Sequence, residues 1–131
     1  DEIDLLGYAL PEQSWQPGDT LPLRLYWFAQ QAPSSDYRIF VHLEALDGSS
    51  KVAQVDSDPI LCFSRTTRWE PGEVVVDPQE LPLDPSTPPG TYRLVVGLYR
   101  PDTLQNLAVS DAPTALPGDR VDLGEIEIQA R

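Results

Sequence analysis

The chain has 131 residues, which suits one domain with a single hydrophobic core. Its 21 acidic and 9 basic side chains give a formal charge of -12 at pH 7, so nucleic acid and anionic lipid are excluded as direct partners. No apolar run approaches the roughly 18 to 20 residues that span a bilayer.

Prolines and glycines interrupt the chain at short intervals. It contains 14 prolines and 8 glycines, and many lie in the segments QPGDT (16–20), EPGE (70–73), TPPGT (87–91) and LPGDR (116–120). Each segment predicts a turn, because proline presets one turn dihedral and glycine supplies a positive φ. Such spacing leaves little room for helices, so the period-two runs between the turns predict strands.

Seven strands are predicted, over residues 3–10, 21–29, 37–46, 51–56, 73–77, 91–99 and 121–128. Side chains expected to face the core are Leu21, Leu23, Leu25 and Trp27, then Ile39, Val41 and Leu43, then Tyr92, Leu94, Val96 and Leu98. The turn LDGSS makes the third and fourth strands a predicted hairpin, and the short fifth strand could be buried on both faces. The spacing of apolar residues around Gly124 predicts a β-bulge in the last strand.

This pattern of short strands and turns predicts an all-β fold. We expect an immunoglobulin/fibronectin-like sandwich of two antiparallel sheets that forms one domain over residues 1–131. A closed barrel is the alternative. The segment 57–68 is predicted to be an ordered loop, part of which folds back over an open end of the core.

Several aromatic residues have predicted structural roles. Tyr92 follows a Pro-Gly pair, which predicts a tyrosine corner whose hydroxyl bonds to upstream backbone. Trp27 alternates with core leucines and is expected to be buried. Trp69 is expected to close one end of the sandwich, and Trp15 is expected at the surface.

Five segments together resemble a known family. They are PGDTLPLRLYW, YRIFVHLEALDG, RWEPGEVVVD, PPGTYRLVVGLY and VDLGEIEI. In this order they resemble the C-terminal sandwich domains of bacterial, Chloroflexi-like, multi-pass membrane proteins related to glycosyltransferases that use a lipid-linked sugar donor. The resemblance implies an extracytoplasmic domain of a membrane-anchored protein. One segment departs from the family pattern: RPDTLQNLAVS lacks the Asp-x-x-Thr-Gly turn that often follows GLY in this group. Separately, the absence of methionine favours a domain excised from a larger protein.

One outer sheet face carries the candidate binding site. Five outward side chains are expected on it: Phe40, His42, Glu44, Tyr99 and Glu125. Gly97 lacks a side chain and would leave a shallow floor beside the two aromatic rings. A sugar could stack on the rings while the polar groups bind its hydroxyls. An ordinary outer face, or one covered by another domain, is the alternative.

Catalysis and metal binding have little support in the sequence. The only histidine, His42, lies in the middle of a predicted strand, where it has no loop freedom to join a catalytic triad. The sequence around Cys62 is apolar and would raise the pKa of its thiol. Neither an enzyme nor a cofactor is therefore predicted. Asp56 and Asp58 are weak metal candidates, because two carboxylates one residue apart can share a cation.

The sequence therefore predicts a non-catalytic accessory or interaction module. Its expected partner is a glycan, an acceptor or the membrane portion of its parent protein. Two alternatives stay open. The chain could be a purely structural or dimerising sandwich, or a protease-inhibitor-like sandwich that uses the loop 57–68.

Overall fold

A computed structural model describes residues 2–11, 13–57, 65–107, 115–116 and 119–130. The strands in these residues are β1 (Ile3–Ala9), β2 (Thr20–Ala29), β3 (Arg38–Ala45), β4 (Lys51–Ser57), β5 (Val74–Pro82), β6 (Gly90–Tyr99), β7 (Asn106–Leu107), β8 (Ala115–Leu116) and β9 (Arg120–Ile128). A short 3-10 helix covers Thr66–Arg68. In this part of the chain, no helix is long and apolar enough to cross a membrane.

The strands form a sandwich of two antiparallel sheets, which confirms the predicted all-β fold. The smaller sheet has the order β1-β2-β5, and the larger has the order β4-β3-β6-β9-β8, with β7 paired to β6. All seven predicted strands are present. The two additional strands, β7 and β8, have two residues each and were not predicted.

The predicted hairpin and bulge are both confirmed. Strand β3 pairs with β4 from Ile39 opposite Ser57 onwards. In the last strand, Leu94 lies opposite Gly124 while its neighbour Val95 lies opposite Asp122, so β9 contains one extra residue at this point. Gly124 has a φ of 112°, a conformation that favours glycine.

Strand β5 differs from the prediction. It extends to Pro82 and buries alternate residues instead of burying both faces, so Val74 and Val76 are exposed. The predicted strand ended at Asp77, whereas β5 continues through Pro78 to Pro82. Because β5 is an edge strand, the missing N–H groups of Pro78 and Pro82 can lie on the side without a neighbouring strand.

The core lies between the two sheets and contains every side chain predicted to face it. Trp27 and Trp69 are both buried there, as expected. The prediction that Trp15 is exposed is wrong, since only 4% of this residue is accessible. Its amide donates to Glu127 O at 3.2 Å and its carbonyl accepts from the Gln129 amide at 2.7 Å, so the segment is held along the end of β9.

Tyr92 makes the hydrogen bond expected of a tyrosine corner. Its hydroxyl donates to the carbonyl of Pro88 at 2.6 Å, while its ring lies in the core. The bond connects β6 to the turn that precedes it and fixes the direction in which the chain enters the larger sheet.

We expect Tyr92→Phe to lower the free energy of unfolding by roughly 0.5–1.5 kcal/mol, because one hydrogen bond is lost while the ring stays packed. Urea denaturation measures this change. Tyr26→Phe is the matched control, since Tyr26 lies on the outer side of β2 and is only half-buried. Equal stability of wild type and Tyr92→Phe would contradict the structural role of the corner.

Candidate functional site

The structure places Phe40, His42 and Glu44 on the outer face of the larger sheet. The Phe40 ring centroid lies 4.8 Å from that of His42 and 6.3 Å from that of Tyr99. Strands β3 and β6 pair as predicted and bring these rings together, with Phe40 opposite Gly97. The sequence therefore predicted the shared face correctly.

The prediction of an open aromatic floor on this face is wrong. Only 4% of Phe40 is accessible, because its ring lies over Gly97. A β-carbon at position 97 would lie 2.5 Å from Phe40 Cε2 and 3.3 Å from the carbonyl oxygen of Asp119. The missing side chain thus makes room for the protein's own ring and backbone, and Phe40 offers no surface for a sugar.

The polar residues of this face bind one another. Glu44 is 6% accessible, and both of its carboxylate oxygens accept from Arg120 Nη1, at 3.0 and 3.1 Å. His42 Nδ1 lies 3.4 Å from Glu44 Oε2. Burial lowers the pKa of the His42 imidazole, and the charge of Lys51 lowers it further, against the opposing effect of Glu44. The lowered pKa favours the neutral imidazole at pH 7.

These polar residues also line a cleft of about 330 Å³ beside the β3–β4 hairpin. The Glu44 carboxylate in it is already bound by a guanidinium group, and the imidazole packs against Phe40. A ligand would have to displace these contacts. The cleft is consequently a weaker candidate than an open groove whose polar groups face solvent.

Glu125, the fifth predicted site residue, shares the outer face with Glu44, since both lie opposite Arg93, but it is four positions along the ladder from the Phe40–Gly97 pair. It is exposed on β9 and lines a groove of about 420 Å³ between the two sheets, here named the β1–β9 groove. The groove is lined by Tyr8–Pro11, Gln13 and Trp15 on one side and by Leu123 and Glu125–Glu127 on the other.

Two hydrogen bonds close the ends of the β1–β9 groove. At one end the Tyr8 hydroxyl donates to the carbonyl of Leu123 at 2.7 Å, and at the other the Trp15 amide donates to the carbonyl of Glu127. Leu123 and Glu127 are four positions apart in β9, and the bulge at Gly124 shortens the strand, so the two carbonyls are less than about 13 Å apart. The groove is therefore short and bounded.

The backbone of β9 contributes polar groups to this groove. The Glu127 carbonyl binds Trp15, so it points away from the neighbouring strand β6. In an antiparallel ladder, residues two positions apart point their N–H and C=O groups to the same side. The N–H and C=O of Glu125 therefore also point toward the groove.

Side chains add an aromatic surface and acceptors. Tyr8 is 45% accessible, and Gln13, Glu125 and Glu127 are exposed. Tyr8 reaches the groove because β1 has a register shift between Leu5 and Gly7, which turns the tyrosine toward the larger sheet. The sequence analysis did not identify Tyr8 or Gln13 as groove residues. For Tyr8, the available signal was an aromatic residue within the first predicted strand.

A second groove, of about 430 Å³, lies on the smaller sheet beyond the end of β1. Its lining includes Pro11, Pro22 and Pro78, which have no backbone N–H to donate. It therefore has fewer groups for binding a polar ligand than the β1–β9 groove.

Other predicted elements are only partly described. Asp56 is exposed, whereas Asp58, Cys62 and most of the loop 57–68 lie outside the described residues. Among the residues that are described, no three His, Cys, Asp or Glu side chains are grouped so that they could hold a metal ion. No protein-family model matches the chain, and no curated protein matches it significantly.

Proposed function

We propose that the chain is a non-catalytic accessory module that recognises a saccharide in the β1–β9 groove. The observation that carries this proposal is the exposed Tyr8 ring, which lines the same groove as two exposed glutamates, Glu125 and Glu127. Sugars have apolar C–H faces that pack on aromatic rings, and hydroxyls that both donate and accept hydrogen bonds. The ring, the carboxylates and the Glu125 backbone supply these two kinds of contact.

The shape of the groove favours a short saccharide over a peptide strand. A peptide that adds to a sheet edge needs a run of unpaired backbone groups. Here the Leu123 and Glu127 carbonyls are already bound, which leaves Glu125 between them. One or two sugar rings need only local contacts and suit a length below about 13 Å.

The arrangement of the carboxylates supports binding without hydrolysis. Glycosidases place two carboxyl groups on opposite sides of the scissile bond. Glu125 and Glu127 project from the same side of one strand, so both approach a bound sugar from one direction. The only histidine packs on the outer face of the larger sheet.

The wider context is also part of the proposal. We propose an immunoglobulin/fibronectin-like domain, supported by the strand order of the two sheets and by the Tyr92 bond. An extracytoplasmic position within a bacterial membrane protein is proposed from the sequence resemblance alone. In that setting the module would hold a glycan or acceptor near the membrane portion of its parent.

A glycan array probed with the chain, followed by NMR titration of each ligand found, tests saccharide binding. We expect ligand-induced shifts at Tyr8 and Glu125. Tyr8→Ala should weaken binding about ten-fold or more, because the stacking surface is removed. Tyr8→Phe keeps the ring but loses the hydroxyl bond to Leu123, so it should bind more tightly than Tyr8→Ala and less tightly than wild type.

A second variant separates the two candidate surfaces. Tyr99→Ala alters the outer face of the larger sheet and should leave binding unchanged. Loss of binding in Tyr99→Ala, but not in Tyr8→Ala, would move the site to that face. If no saccharide binds, the proposal is wrong and the structural or dimerising alternative gains support. Light scattering of the same samples then measures whether the chain is a monomer or a dimer.

A further inference from the structure

We infer that the saccharide preferred by the β1–β9 groove carries a free amino group, an inference that rests on the proposed function. The groove, the Tyr8 ring and the Glu125 backbone form the site. The carboxylates of Glu125 and Glu127 determine which sugar it prefers.

The spacing of the two carboxylates suits one ammonium group. Glu125 and Glu127 are two residues apart in an extended strand and lie about 6.6 Å from each other along it. An ammonium group bound between them lies within reach of both side chains and can donate up to three hydrogen bonds. A hydroxyl in the same place lacks the charge that both carboxylates attract.

The neighbouring cation, Arg93, forms its ion pair with another carboxylate. Arg93 lies opposite Glu125 in the sheet, but its Nε is 3.1 Å from Asp122 Oδ2. Among the residues that the structure describes, Glu125 and Glu127 take part in no ion pair. Their negative charge is therefore available to a ligand.

The same charges disfavour acidic saccharides. A uronate or sulfated sugar would bring a negative group to two carboxylates on a chain whose formal charge is -12. Neutral sugars keep the ring stacking and the backbone hydrogen bonds without the ionic contribution. The expected order of affinity is amino sugar, then neutral sugar, then acidic sugar.

The test is an NMR titration with a glucosamine disaccharide, its N-acetylated form and a glucuronate-containing disaccharide, at a pH where the amine is protonated. At low salt we expect the amino disaccharide to bind about five-fold tighter than the acetylated one, as two exposed ion pairs allow. Raising the ionic strength to about 0.15 M should reduce this preference, because salt screens exposed charges.

Charge variants test whether Glu125 and Glu127 cause the preference for the amino sugar. Glu125→Gln with Glu127→Gln should abolish the preference for the amino sugar, because it removes both negative charges, and should weaken binding of the amino sugar more than binding of the acetylated sugar. The control is Glu70→Gln with Glu80→Gln, which changes the net charge equally at exposed positions elsewhere and should keep the preference.

The outcomes distinguish this inference from the proposed function. Equal affinity for the amino and acetylated sugars, or tighter binding of the acidic one, overturns the inference while saccharide binding stands. Loss of the preference in the control pair also overturns it, since the effect would then come from net charge. The absence of shifts in the groove with all three ligands overturns both.

Discussion

Asp77→Ala is expected to lower the free energy of unfolding by roughly 2–6 kcal/mol, because it removes the acceptor for two buried donors, at about 1–3 kcal/mol each. Trp27 Nε1 donates to Asp77 Oδ2 at 3.0 Å, and Gln79 Nε2 donates to Asp77 Oδ1 at 2.8 Å. All three side chains are almost completely buried. Water therefore cannot replace the lost carboxylate without opening the core.

The bonds around Asp77 extend across the core. Ser57 Oγ donates to Gln79 Oε1 at 3.1 Å, which connects β4 of the larger sheet to β5 of the smaller one. The chain of hydrogen bonds from Ser57 through Gln79 and Asp77 to Trp27 thus joins the two sheets. Its loss should affect the packing between sheets as well as one strand.

Urea denaturation with two comparison variants measures this contribution. Glu80→Ala removes an exposed carboxylate from the same strand and should change stability by no more than about 0.5 kcal/mol. Asp77→Asn keeps one acceptor oxygen and should lie between Asp77→Ala and wild type. A cost for Asp77→Ala as small as that for Glu80→Ala would show that the buried carboxylate is not an essential acceptor.

The sequence contained a signal for this buried network. In EVVVDPQEL, strict alternation places Asp77 and Gln79 on the same side as Val75 and Leu81. Ending the strand before Pro78 concealed that pattern. The presence of a proline does not by itself show whether a strand lies at a sheet edge, where proline is tolerated.

Most of the fold could be predicted because alternation and turn residues are local properties. They located the seven long strands, the β3–β4 hairpin and the bulge at Gly124. The position of Trp15 could not be predicted in this way, because its burial depends on backbone hydrogen bonds to the distant end of β9.

The candidate site was predicted only in part for a similar reason. Pairing of predicted strands brought Phe40 and Tyr99 to one face, and Glu125 was correctly expected to be exposed. Alternation gives the side of a sheet to which a residue points, but not what covers that side. The exposed ring of Tyr8 depends on the register shift in β1, which the sequence pattern did not reveal.

Gly97→Ala is expected to destabilise the protein by roughly 1–3 kcal/mol, the usual cost of forcing extra volume into a packed site. The new β-carbon would lie 2.5 Å from Phe40 Cε2, so the ring would have to move. It cannot move freely, because the ring is buried and the Asp119 carbonyl lies 3.3 Å from the same β-carbon. The outer face would have to rearrange around both groups.

A double-mutant cycle assigns this cost to the ring. Phe40→Leu shortens the side chain, so Gly97→Ala should be less harmful in its presence, with a coupling of about 1 kcal/mol between the two positions. Gly7→Ala is the control, because a β-carbon there meets no atom within 4 Å. It should change stability by no more than about 0.5 kcal/mol. Additive effects of Phe40→Leu and Gly97→Ala would mean that the ring does not occupy the space beside Gly97, and would reopen the outer face as a binding surface.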